Sequence, residues 1–350
     1  HPAGLGATDA FAQAAVLALY DPDRSQTVRY RGRIQSWDDA REAIRNGLAK
    51  QRQKRGAGLR LLTETVTSPT LASQIRTLLE QYPLAKWHQY EPAGRDTVRQ
   101  GARLALGEDV NTYYRFDRAD VILSLDADFL ASGPGHLRYA RDFAARRKVP
   151  AGSPPAAERG MNRLYMVQCT PTITGAKADH GWPVRPSQVE ALAWIAAATL
   201  DERLQPPAPP GAPPIPRKAM EALVHDLRAH GGASLVIAGE EQPAAVHALA
   251  HAMNHALGNV GTTVVYTDPV EARPEDQIAS LRQLVEDMDG GLVEMLVIAG
   301  GNPVFTAPGD FRFGERLLAE NSAGKAKVPL RIHLSLYEDE TSARCDWHLP

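Results

Sequence analysis

An α/β fold of two units, each with a doubly wound and mainly parallel sheet, is predicted by three features of this sequence. Short apolar runs such as Val121-Ile-Leu-Ser-Leu125 alternate with segments of helical periodicity along most of the chain. Apolar runs of that length ahead of a helix pattern belong to buried parallel strands joined by right-handed crossovers. A proline-rich stretch from Gln205 to Pro216 falls between two such series. Proline fixes φ and lacks an amide donor, so this stretch reads as a stiff linker. The expected division is an N-terminal remnant packing on the core (1–35), a first α/β domain (36–204), the linker (205–216) and a second α/β domain (217–350).

In the first domain Ser36-Trp-Asp-Asp is an N-cap signature that opens a helix to about Lys54. A strand follows at Leu59 to Thr63. Ser68 then caps a helix from Thr70 to Tyr82, with Pro69 at the first helical position, where its missing amide costs nothing. Next come a strand at Ala85 to Gln89, a helix at Gly94 to Leu106, the Val121 strand and a helix at Gly135 to Arg147. A strand at Arg163 to Gln168 and a helix at Ser187 to Leu200 complete the domain. The second domain runs as helix 217–230, strand 234–238, helix 243–257, strand 263–266, helix 274–288, strand 293–299 and a last strand 330–334.

Charge narrows the partners. With 39 basic and 41 acidic residues the net charge is -2, which leaves no electrostatic footprint for nucleic acid. Apolar runs such as Ala191 to Ala198 fall short of the roughly 20 residues that cross a bilayer. The chain begins at His1 rather than methionine, so an upstream segment, with any targeting signal, is expected to have preceded it. Cys169 and Cys345 have no CxxC spacing and suit a spectator role, not a metal cluster or a disulfide framework.

The Val121 strand runs into Asp126-Ala-Asp128, at the strand end where α/β sheets bind ligands. At an effective dielectric of 20 and about 5 Å, one carboxylate repels a phosphate charge by roughly 3 kcal/mol, so unaided phosphate binding is disfavoured. The pair also matches the DxD of Mg-dependent phosphotransferases, but Phe129-Leu130 lacks the Thr or Val that chemistry uses. His247, His251 and His255 recur at i, i+4, a spacing that can chelate zinc. No Glu stands in an HExxH position, and Val246, Leu249, Ala250, Met253 and Leu257 supply the core face, which predicts an exposed or flanking histidine stripe. Gly300-Gly301-Asn302-Pro303 follows a buried strand and suits either a ligand loop or a tight turn. Neither Ser68 nor Ser124 sits in a nucleophile elbow.

Taken together, the chain resembles the pterin-binding region of the molybdopterin oxidoreductase (DMSO reductase) superfamily, whose units are Rossmann-like. The resemblance rests on His1-Pro2 with Gly6, Tyr20-Asp-Pro-Asp-Arg24, Arg118 to Leu125, Ala299-Gly-Gly-Asn-Pro303, and Tyr337-Glu-Asp-Glu-Thr341 through Asp346-Trp-His-Leu-Pro350. It spans nearly the whole chain. Where the superfamily carries Gly-x-Asn on its first dinucleotide loop this chain has Asp126-Ala-Asp128, and where it carries a cluster-ligating cysteine this chain has residues around Asp9. Gly6-Ala-Thr-Asp-Ala-Phe11, Trp87 to Arg95, Leu125 to Phe129 and Gln168 to Gly175 are similar to one branch, the large iron–sulfur subunit of bacterial alternative complex III.

That resemblance implies a non-catalytic scaffold in a periplasm-facing, quinol-oxidising respiratory complex, docked to other subunits of a membrane-bound assembly. No molybdenum cofactor is expected in this chain, and iron–sulfur clusters are expected in a ferredoxin-like domain beyond Pro350. Asp126, Asp128, Gly301, Asn302 and Pro303 would be vestigial pterin-loop positions. An active molybdopterin-dependent oxidoreductase and a Mg-dependent phosphotransferase using Asp126 and Asp128 are the competing readings.

Overall fold

The computed structural model describes residues 4–148, 160–206 and 215–350. Contacts divide the chain into two compact units, one from His1–Ala10 and Thr97–Pro269, the other from Phe11–Asp96 and Val270–Pro350. The first is thus inserted in the sequence of the second.

The inserted unit is built on four parallel strands, β6 (Val121–Leu125), β7 (Arg163–Gln168), β8 (His180–Pro183) and β9 (Ser234–Ala238), in the order β8-β7-β6-β9. All five residues of β6 are buried, as a continuous apolar run requires of a central strand. Val121, Leu123 and Leu125 join a core with the helices Pro186–Leu200, Arg217–Ala229 and Ala244–Ala256. Ile122 points to the other face, where it meets Leu164, Phe116 and Phe129. The latter two rings stack at 4.3 Å. Two layers on opposite faces of one sheet make this unit doubly wound. A short antiparallel ribbon, β5 (Asn111–Tyr114) with β10 (Val264–Thr267), belongs to the same unit.

The outer unit holds a larger sheet in the order β2-β1-β13-β12-β11-β3-β4. Its parallel part is β4 (Lys86–Gln89), β3 (Leu59–Thr63), β11 (Met295–Ala299), β12 (Leu330–Leu334) and β13 (Trp347–Leu349). The two-residue strands β1 (Arg29–Tyr30) and β2 (Arg33–Ile34) extend it antiparallel. Helix Trp37–Gln53 starts with the expected cap. Ser36 and Asp39 exchange side-chain to backbone hydrogen bonds in a capping box. Ser68 caps Pro69–Gln81 by accepting from the Leu71 amide, which absorbs it structurally.

Two expectations fail at this level. The proline-rich segment does not separate domains: β9, which follows it, pairs with β6, which precedes it, in the register Val121↔Ser234 to Leu125↔Ala238. Strand pairing is decided by which apolar strand fits beside which, so the segment is a connection inside one unit. Its residues 207–214 lie outside the described residues. The N-terminal remnant packs on the core only in part. Val28 is buried and β1 pairs with β13, but Ala10–Leu19 buries no residue, and Phe11, Leu17 and Leu19 are exposed.

Candidate functional site

At the end of β6 the backbone turns at Asp126 with φ of 61°, a left-handed conformation that aspartate tolerates better than most residues. Three strand-end segments are sewn together there. The Asp126 amide donates to the Val167 carbonyl at 2.7 Å and the Gly239 amide to Leu125 at 2.9 Å. A Cβ on Gly239 would lie 2.3 Å from the Asp126 carbonyl oxygen, so only glycine permits this approach.

Both carboxylates point into protein. Asp126 Oδ1 accepts from the Cys169 amide at 2.8 Å and Oδ2 from Gln242 Nε2 at 2.9 Å. Asp128 Oδ1 accepts from the Thr174 amide at 2.9 Å and from its hydroxyl at 2.7 Å. Each aspartate therefore fastens the loop after β6 to a neighbouring loop. Ser124, fully buried, exchanges hydrogen bonds with Ala127 in the same turn and offers no nucleophile. Among the described residues no group of three or more His, Cys, Asp and Glu side chains is placed to hold a metal ion. Among the described residues the pair thus lacks a third acidic, His or Cys side chain that could join it around a Mg ion.

In the outer unit, Gly300 and Gly301 take φ of 79° and 67° after β11. The Asn302 amide donates to Glu340 Oε2 at 2.6 Å while its oxygen accepts from Thr341 Oγ1 at 2.7 Å. The Gly301 carbonyl accepts from His333 Nε2 at 3.0 Å. From His333 Nδ1 a chain runs through Ser342 Oγ (2.8 Å) to His348 Nδ1 (2.9 Å), and the other ring nitrogen, His348 Nε2, meets Ser25 Oγ (2.7 Å). Pro303 is buried at the first position of a one-turn helix. The Asn-Pro loop is thereby pinned by Glu340, Thr341 and His333. Beside it lies a cavity of about 60 Å³ bordered by Glu64, Tyr90, Gly301 and Asn302, which has room for a few waters. Glu64, at the end of β3, approaches both glycines, within 3.3 Å of where their Cβ atoms would be. Burial raises its pKa, and the nearby Glu91 raises it further. A carboxyl group therefore overlies this loop too, in surroundings that disfavour its charged form.

The histidine stripe is not exposed as its pattern suggests. His247 and His251 are buried, and only His255 faces solvent. Helix Asp96–Leu106 crosses at Gly101, whose Cβ position would lie 2.3 Å from His247 Cβ, and this close approach covers the face. His251 Nδ1 meets the Tyr266 hydroxyl at 2.9 Å with the rings edge-on. Burial brings the His251 pKa down to about 4, so the ring is neutral and structural. The cysteines behave as spectators. Burial, and for Cys169 also the Asp126 carboxylate, pushes each thiol up to about 12.

Glu64 and Gln242 escaped the reading of the sequence. Glu64 follows β3 as Asp126 follows β6, so the same signal was present. Gln242 stands on the next strand-end loop, and nothing in its spacing announces Asp126.

No family model matches the chain. It is 22% identical over 395 residues to the menaquinone reductase, molybdopterin-binding-like subunit, of Nitratidesulfovibrio vulgaris (Hildenborough), across 100% of this chain and 53% of that protein. The solved structure of acetylene hydratase from Pelobacter acetylenicus superposes with a TM-score of 0.62 at 14% identity, covering 96% of this chain and 56% of that one. The chain spans about half the length of both.

Proposed function

We propose, from the premise that this chain is molybdopterin-oxidoreductase-like in fold and in distant sequence relation, that it is a scaffold without a molybdenum cofactor. It would serve a quinol-oxidising respiratory complex of the alternative complex III type. Its place would be the periplasmic side of the inner membrane, held there through other subunits. Iron–sulfur clusters in a further domain of the same polypeptide would carry the electrons. Among the described residues no helix is long and apolar enough to cross a membrane, in keeping with attachment through partners. Membership in a quinone-linked assembly draws support from the menaquinone reductase subunit.

The observation that carries the reading is the state of Asp126 and Asp128. A dinucleotide-bearing pterin brings phosphates to a strand-end loop, and such a loop answers with glycine and free backbone amides. Here the amides of Cys169 and Thr174 are already taken by the two carboxylates. Asn302 is likewise committed to Glu340 and Thr341, with Glu64 over the adjoining glycines. The residues present do not fit the group. What they do instead is join loops, as a rigid docking body requires.

Elemental analysis of the purified complex, with release and chromatography of any bound pterin, tests the reading. The expected result is iron in cluster proportions and only trace molybdenum or tungsten. One molybdenum or tungsten per chain with pterin would overturn it.

A further inference from the structure

We propose that Ser25 is a base-activated nucleophile, half of a Ser–His pair with His348 that accepts the acyl group of an activated ester. The pair ends the hydrogen-bonded chain that starts at the Gly301 carbonyl, and every member of that chain belongs to the outer unit. This goes beyond the scaffold reading, which gives the chain no chemistry of its own.

A carbonyl oxygen can only accept, so the far end of the chain assigns each proton along it. His333 Nε2 carries the hydrogen that reaches Gly301 at 3.0 Å. With the ring neutral its Nδ1 is bare, and it accepts from the Ser342 hydroxyl at 2.8 Å. The Tyr337 carbonyl, 3.4 Å from the same hydroxyl oxygen, is beyond the usual reach of an O–H donor. Ser342 has no second hydrogen, so its oxygen accepts from His348 Nδ1 at 2.9 Å. His348 Nε2 is left bare, and the Ser25 hydroxyl donates to it at 2.7 Å. A nucleophile, a base within hydrogen-bond reach and a third group that orients the base are thereby in line.

His333, Ser342 and His348 are buried while Ser25 is half-buried, so the reactive end is the one nearest the surface. Burial, and then Arg29, hold His348 below its ordinary pKa, which keeps the base neutral and ready. Glu338 and Asp339 act the other way and favour the imidazolium that forms during reaction. The Ser25 amide is committed to the Leu336 carbonyl at 2.8 Å and cannot serve an oxyanion, which limits the substrate to an ester with a good leaving group. As the bond from Ser25 Oγ to the acyl carbon forms, the hydroxyl proton passes to His348 Nε2. The C–O bond to the leaving alcohol then breaks and the alcohol takes that proton, so an acyl ester remains on Ser25 beside a neutral ring.

Incubation of the intact chain with p-nitrophenyl acetate, followed by peptide mapping in a mass spectrometer, tests the assignment. One acetyl group on Ser25 is expected, with a matching burst of nitrophenol that Ser25→Ala removes. Ser25 in the urea-unfolded chain should stay unmodified. His348→Gln should slow the burst by about a hundredfold, within the range that a positioned base supplies. Thermal melts would show whether that variant folds. Where it does not, the unaltered chain decides: the burst rate should level off above the pKa of His348, which lies below 6.5. No acetyl group on Ser25, equal modification in urea, an undiminished burst in folded His348→Gln, or a rate that climbs with hydroxide through neutral pH overturns the proposal.

Discussion

Asp126 sits in a backbone conformation for which glycine is the default, at the position where the resembled superfamily carries glycine. The aspartate side chain at this turn acts as a clasp between loops. Substitution separates structure from chemistry here. Asp126→Asn should change stability by less than about 1 kcal/mol: asparagine accepts left-handed φ, and the Gln242 amide, whose Oε1 has no partner, can rotate to restore the pairing. Asp126→Val should cost about 3 kcal/mol in urea unfolding, through strain at positive φ and the lost hydrogen bonds. Were the pair a phosphotransfer centre, Asp126→Asn would abolish turnover of a phosphoester, and any such loss would revive that chemistry. At this scale the sequence made the carboxylates visible but not their partners. Cys169, Thr174 and Gln242 reach them from loops whose meeting depends on sheet order.

Elements were more legible than residues. Strands 59–63, 163–168, 234–238 and 330–334 match their expected bounds, because each is a short run dominated by Leu, Ile, Val and other strand-forming apolar residues between helical segments. β5, β8 and β13 were not anticipated. β5 and β8 have no fully buried residue, and β13 spans only three residues, so none leaves an apolar run in the sequence. The open edge of β9 shows a device that sequence does not announce. Asn254, from helix Ala244–Ala256, pairs with both sides of Val236, accepting from its amide at 2.9 Å and donating to its carbonyl at 2.7 Å. Asn259 supports it by donating to the Asn254 side-chain oxygen at 2.9 Å. The side chain takes the place of a further strand and leaves the edge unavailable for pairing. Asn254→Ala should cost about 3 kcal/mol, since it strands two buried backbone groups and the Asn259 amide. A loss below about 1 kcal/mol in chemical denaturation would contradict that role.

For the molecule as a whole, acid stability follows from buried neutral histidines. Burial, with Arg60 nearby, lowers the His88 pKa from 6.5 to about 4, and burial alone lowers His251 from 6.5 to about 4. Their folded values lie below the unfolded one, so the unfolded chain binds protons first. The stabilisation is complete above pH 6.5 and is lost as pH falls towards about 4. Each site contributes up to roughly 3 kcal/mol of that loss. Urea midpoints should fall between pH 7 and 4.5, and the double variant His88→Gln with His251→Gln should flatten the slope. An unchanged slope in the double variant would assign the effect to carboxylates instead. The two-unit, doubly wound character was evident from strand and helix alternation. The division was not, because composition marks where a chain is stiff and not which strand it will join.

The insertion of Thr97–Pro269 between β4 and β11 also governs how the chain is made. β3 and β4 leave the ribosome early, yet the central neighbour of β3 arrives only with Met295–Ala299. The inserted unit holds all its strands in one uninterrupted stretch and can close while synthesis continues. At about 5–20 residues per second, the half-sheet waits on the order of ten seconds or longer with an unpaired edge. Contacts so distant in sequence slow folding, so late truncations would leave the inserted unit native and the outer one aggregation-prone.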